Sequence, residues 1–444
     1  MVPFFVVFVM STAFLLTASR PFNKLEQRYL WMGYGAHTVS AVGQVLITLY
    51  YYGGGDMLMY HRYGMAIAQM VRARPDLLQQ LAALTVGSDP FLFLWVEGAG
   101  GSTGVMCAIA GWLCLLLNDS LVASCLVISA FAFMGQVAMY LAFRMHLPAA
   151  YHKRALIACF MVPSVVFWTS GILKEGVALG GLGLGLWGMS RFVKSARPDP
   201  RALGLIVAGF WVVGLVKAYI LFPLAIAGLI WFFAERSRKQ GKVFKLRIAY
   251  LIPGIILAMA AVTWLGEVYP RFALEKVATE TAQLQGAYRK IDAGSSYELG
   301  DPNARTLTQQ LQFAPIALVS TLLRPFIFEV HNIVSLINAL ETSALFIMLS
   351  MLLFKTGGRR LWLILRSEPM LLFCAVYVLI FSVAVGLAAP NLGTLSRYRV
   401  PMFPAYWLLV LTLLPLRRKP AARRGPAVRR VVGPKGTEPT PRTS

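Results

Sequence analysis

The chain has 444 residues, of which 57% are hydrophobic and 14% charged, against about 25% charged in an ordinary soluble domain. This excludes a soluble fold, and apolar blocks of about 20 residues exclude the alternating strands, about ten residues each, of a membrane barrel. The net charge of +23 lies in short loops and the C-terminal tail, which points to membrane topology and anionic headgroups rather than to nucleic acid.

In chain order, residues 1–17 read as a short first span, with no basic start to mark a signal peptide. Arg20, Lys24 and Arg28 place the next loop on the cytoplasmic side. A span over 31–52 then leads to a large external loop, 54–118, in which 104–117 is expected as a half-inserted or interfacial helix. A span over 120–143 returns to the basic segment 144–154. Two hairpins follow, with outer tips at Thr169–Glu175 and Lys217–Tyr219 and a basic inner flank at 191–201. After the basic loop from Arg236 to Arg247, a span over 248–266 opens the second external loop, 267–332, whose residues 307–323 are expected as a helix on the membrane surface. The last spans, 333–354, 368–388 and 400–416, enclose an inner loop with Lys355, Arg359, Arg360 and Arg366 and an outer one at Asn391–Arg399. The expected architecture is an all-α polytopic transmembrane helical bundle of about eleven spans. Residues 1–416 form the membrane domain and 417–444 a basic, disordered cytoplasmic tail.

All five cysteines lie in apolar stretches, so neither disulfides nor a cysteine metal site is expected. There is no Walker loop, no HExxH and no ligand-spaced histidine cluster. No cofactor is expected, and a divalent metal requirement is left open. Gly180-Gly181-Leu182-Gly183-Leu184-Gly185 is glycine-rich but inside a span, where it suits close helix packing.

Polar residues collect at five outer span ends. Gly53-Gly54-Gly55 allows a tight turn before Asp56, and Asp56 and Tyr60 share a face if a helix starts there; the plainer role for Asp56 is a helix cap. Lys174 and Glu175 open a span after Ser170-Gly171, where ionisable groups are costly and usually functional; the plainer reading is a snorkelling lysine beside an interfacial glutamate. Lys217 is a lone cation where positive charge is disfavoured. Arg324 and His331 flank Glu329, so an Arg–Glu ion pair competes with a binding role. Arg397 and Arg399 have no acidic neighbour in sequence, and the guanidinium fork suits phosphate.

One carboxylate among several cations at the membrane boundary fits transfer of a sugar from a lipid phosphate. The carboxylate would take a proton from an acceptor hydroxyl, and the cations would meet the charge growing on the departing phosphate. The Gly-Gly-Asp-x-x-x-Tyr run at 54–60 resembles the first-external-loop aspartate of GT-C superfamily glycosyltransferases, although here the aspartate follows the second span. Pro163-Ser164-x-x-Phe167-Trp168-x-Ser170-Gly171-x-x-Lys174-Glu175 and Asn391-x-Gly393-Thr394-x-x-Arg397-Tyr398-Arg399-x-Pro401 resemble bacterial membrane proteins of exopolysaccharide and O-antigen synthesis. The likeness runs from about 50 to 405. It implies Asp56 as base, a polyprenyl-phosphate-linked sugar donor, a saccharide acceptor and the bacterial inner membrane, with polysaccharide assembly proteins as partners. Lys174, Arg324, Arg397, Arg399 and, more weakly, Lys217 are expected to bind phosphate; Tyr60, Glu175 and His331 are expected to position substrate. The alternatives are a polymerase that joins lipid-linked repeat units, which the paired arginines suit, a transporter or flippase, and a scaffold in an assembly complex.

Overall fold

In the computed structural model of the protein the described residues are 2–88, 91–195, 199–241, 312–389 and 391–414. The expected span 248–266, most of the loop 267–332 and the tail 417–444 lie outside them. Among the described residues all regular structure is helical and no strand is present.

The first half comprises α1 (Val2–Ala18), α2 (Lys24–Leu46, continued by a π-helical turn over Ile47–Tyr52), α3 (Asp56–Ala73), α4 (Leu78–Thr85), α5 (Ser102–Leu116) and α6 (Leu121–His146). The chain continues through α7 (His152–Phe160), α8 (Pro163–Trp168), α9 (Lys174–Lys194), α10 (Pro200–Lys217) and α11 (Leu221–Lys239). After the undescribed segment come α12 (Ala314–Leu323), α13 (Ile333–Thr356), α14 (Gly358–Ser367), α15 (Pro369–Ala388), α16 (Leu392–Tyr398) and α17 (Phe403–Leu413).

Among the described residues four helical stretches are long and apolar enough to cross a membrane: α6, the run Pro200–Lys239 that holds α10 and α11, α13 and α15. The count of about eleven spans is therefore not supported. Several expected crossings are short or broken, for identifiable reasons. Pro163 opens α8 at its first position and separates it from α7, since proline cannot donate to a continuing helix. The expected span 400–416 yields only the 11-residue α17. At Ala218–Ile220 the chain reverses: Lys217 meets Glu175 at one end of α9, and Lys239 Nζ reaches the Val193 carbonyl at the other, 2.7 Å away.

Close helix contact explains the glycine run in α9. A Cβ at Gly183 would collide with the Gly135 backbone of α6, and one at Gly181 would stand 2.7 Å from the Gly209 carbonyl of α10. Small residues let backbones approach this closely. α5 packs on α3, where a Cβ on Gly64 would come 2.7 Å from Ala110; its 15 residues are buried along much of their length. α12, within the stretch 307–323 expected as a helix on the membrane surface, packs one face on α15, burying Ala317, Ser320 and Thr321, and Thr321 Oγ1 donates to the Ser382 carbonyl at 2.8 Å.

The basic loops gather at one end of the bundle. There Arg144 pairs with buried Glu26 at 3.3 Å, Arg238 with Glu235 at 2.7 Å and Glu368 at 3.6 Å, and Arg154 donates to the Leu414 carbonyl at 2.8 Å. All five cysteines are buried and free.

Candidate functional site

The opposite end of the bundle brings all five polar clusters together. Gly53 at φ 65° and Gly55 at φ 114° turn the chain into α3, a backbone that residues with a Cβ rarely adopt. Asp56 is the first residue of α3, but its side chain makes no capping hydrogen bond. It accepts from Arg397 Nη2 at 3.0 Å instead, with 45% of its side chain exposed.

Arg397 comes from α16, a short helix set by its Asn391 cap, whose Oδ1 accepts from the Thr394 N–H at 2.8 Å. The same Nη2 also lies 3.4 Å from Glu175 Oε2, and the guanidinium lies 5.4 Å from the centre of the Trp168 ring. Glu175, whose side chain is fully buried, accepts from Lys217 Nζ at 2.9 Å through its other oxygen. Lys217 in turn faces the Tyr219 hydroxyl at 3.3 Å and lies over the Tyr398 ring at 4.4 Å. The result is an alternating chain of charge, Asp56–Arg397–Glu175–Lys217, running from the rim into the interior. Buried charges persist only when paired in this way.

Tyr60 lies beneath this chain, 2% exposed. Burial, then the Asp56 carboxylate and then that of Glu175 push its phenol above its ordinary range, so it stays a neutral donor at any physiological pH. Lys174, adjacent in sequence to Glu175, turns the other way: its Nζ donates to Ser102 Oγ at 2.9 Å and Thr103 Oγ1 at 3.0 Å, at the start of α5.

Beside Arg397 opens a pocket of about 500 Å³, within the range of small-ligand sites. Trp168 and Tyr52 supply aromatic walls, and His331, Glu329, Ser335 and Asn338 supply polar ones. Asn338 is 3% exposed, and its Oδ1 has no hydrogen-bond partner among the described residues.

Of the five expected phosphate ligands Arg397 lines this pocket, and Lys174, Lys217, Arg324 and Arg399 do not. Arg399 is fully buried; it donates to the Thr321 carbonyl at 3.3 Å and to that of Arg324, and lies 4.6 Å from the Phe403 ring. It therefore pins α12 to the segment before α17 and does not reach the pocket. The residue following Tyr398 starts a tighter turn, which directs the two arginines to different surroundings. Arg324 is held by Glu329, with Nε 2.8 Å from Oε1, so the ion pair anticipated as its alternative is what forms. Burial opposes the Glu329 carboxylate, but the Arg324 guanidinium and the Phe326 N–H outweigh it and hold its carboxyl below the ordinary range. Lys217 is likewise committed to Glu175, so it supports Arg397 and does not itself line the pocket.

Sequence reasoning missed Trp168, Tyr398, Asn338 and the hydroxyls of Ser102 and Thr103. Trp168 and Tyr398 stand inside the two longer motifs, but Asn338, Ser102 and Thr103 carry no local signal, because their roles come from elements distant in the chain. Glu341, the mid-helix carboxylate of α13, accepts from the Ser164 N–H at 3.1 Å and from Trp407 Nε1 at 2.9 Å. It thereby caps α8, the helix that carries Trp168. Among the described residues no group of three or more His, Cys, Asp or Glu side chains is placed to hold a metal ion. No family model, no curated protein and no solved structure matches this chain.

Proposed function

We propose that the chain is a multi-pass membrane glycosyltransferase of bacterial cell-surface polysaccharide synthesis. It transfers a sugar from a polyprenyl-phosphate-linked donor to a saccharide acceptor at the external face of the inner membrane. The basic loops and the C-terminal tail then lie in the cytoplasm. The observation that carries the reading is the pair Asp56–Arg397 at 3.0 Å, with Arg397 on the wall of the pocket.

In this mechanism Asp56 takes the proton of an acceptor hydroxyl. The freed oxygen attacks the anomeric carbon and the bond to phosphate breaks. The phosphate leaves with the electron pair, and its growing charge is met by Arg397. Glu175 and Lys217 fix Arg397 from behind. Trp168 and Tyr52 offer apolar faces to a sugar ring, while His331 and Asn338 offer polar partners to its hydroxyls.

The polymerase alternative drew on Arg397 and Arg399 acting side by side. Burial of Arg399 against backbone carbonyls removes that pairing, so single-sugar transfer is preferred. The test is a profile of lipid-linked saccharides by mass spectrometry in cells lacking the gene, complemented with wild type or Asp56→Asn. A carrier short of one sugar in both the deletion and the variant supports the reading. Complete single repeat units point to the polymerase, and rescue by folded Asp56→Asn removes the base.

A further inference from the structure

Helix α14 joins two membrane-length helices, α13 and α15, at the basic end of the bundle. Gly357, at φ 71°, breaks it from α13, and the Glu368-Pro369 step restarts the chain as α15. A ten-residue segment between two such helices runs where they leave the bilayer. Its sequence, Gly-Arg-Arg-Leu-Trp-Leu-Ile-Leu-Arg-Ser, is strongly amphipathic, and none of its residues is buried.

Leu361, Ile364 and Leu365 share one face at helical spacing and are only half-covered by the bundle, whereas Arg359 and Arg360 are exposed. Trp362 is 47% and Leu363 54% exposed. Water is a poor neighbour for such groups. The headgroup layer is a good one: Trp favours the interface, arginine stems cross apolar surface while their heads stay polar, and anionic lipid attracts basic segments near a span. The closest acidic residue in sequence, Glu368, is engaged with Arg238 at 3.6 Å.

We infer that α14 lies on the membrane and binds anionic phospholipid headgroups of the leaflet at the basic end, with Trp362 and Leu363 at the acyl boundary and Arg359 and Arg360 on the phosphates. This inference is independent of the transferase reading.

The test uses the full chain reconstituted in vesicles of equimolar phosphatidylcholine and phosphatidylglycerol, with bromine on the acyl chains of one lipid or the other. Subtracting the fluorescence of Trp362→Phe isolates the Trp362 signal. Quenching of that signal is expected to be stronger with bromine on phosphatidylglycerol. The excess should vanish in Arg359→Gln/Arg360→Gln, whose substitutions are exposed and leave the bundle intact. An unquenched Trp362 would place α14 in water or against another protein and overturn the inference. Equal quenching from both lipids, or an excess that survives the double variant, would remove its headgroup selectivity.

Discussion

Glu175→Gln removes the carboxylate at the centre of the buried charge chain while keeping its shape. In the wild type that carboxylate, with 0% of its side chain exposed, is shared between Lys217 at 2.9 Å and Arg397 at 3.4 Å. Arg397 is 23% exposed and keeps Asp56, so its loss is partial. Lys217 is 4% exposed and is left facing a hydroxyl and two aromatic rings. Stranding one partner of a buried pair costs about 3–5 kcal/mol, whereas replacing both with apolar groups is often near neutral. Lys217→Met alone should cost less than Glu175→Gln, because Glu175 then still has Arg397. The double variant Glu175→Gln/Lys217→Met should be more stable than Glu175→Gln by about 2 kcal/mol or more. Thermal unfolding of the four detergent-solubilised proteins gives the cycle. Additivity to within about 0.5 kcal/mol would show that Lys217 does not depend on Glu175, and the charge chain would lose its middle.

Arg397→Gln is expected to abolish transfer with little change in apparent Tm, because its head is at the pocket, whereas Arg399→Gln should lower Tm by several degrees through the two backbone carbonyls it leaves; the reverse pattern in a paired melting and product assay would exchange their roles. Gly171→Ala should cost about 1–3 kcal/mol by overpacking, since its Cβ would meet the Gln44 amide and lie 3.1 Å from Met57 Sδ; unchanged melting would mean that the loop before Lys174 has slack. The Glu329 carboxyl is held low in the folded protein, so its contribution is complete above the ordinary carboxylate range and is lost as pH falls through its depressed folded value. On acidification the melting difference between wild type and Glu329→Gln should therefore shrink, and a difference that grows instead would contradict the Arg324–Glu329 pair.

Helical class, the one-sided placement of the basic loops and the glycine packing of α9 were legible because each is written locally, as apolar run length, loop charge or spacing of small residues. Asp56, Glu175, Lys217 and Arg397 were legible as candidates for a similar reason: charge at a span end stands out against an apolar background. Their partners were not, because pairing depends on which ends meet. Arg397 and Arg399 look equivalent in sequence, yet a turn between them sends one to the pocket and the other under α12. The count of about eleven spans lacks support among the described residues, because hydropathy does not register breaks such as Pro163 and some apolar stretches partly cover protein.

The distances along the chain between the members of the charge series have a consequence for biosynthesis. Glu175 and Lys217 are 42 positions apart, so they can neutralise each other soon after both have left the ribosome. Asp56 and Arg397 are 341 positions apart, and Trp168 stands on a helix capped by Glu341. The nascent protein thus shelters its costliest charges early but closes its rim only after α16 has been made, and a product terminated before α16 would leave Asp56 without Arg397.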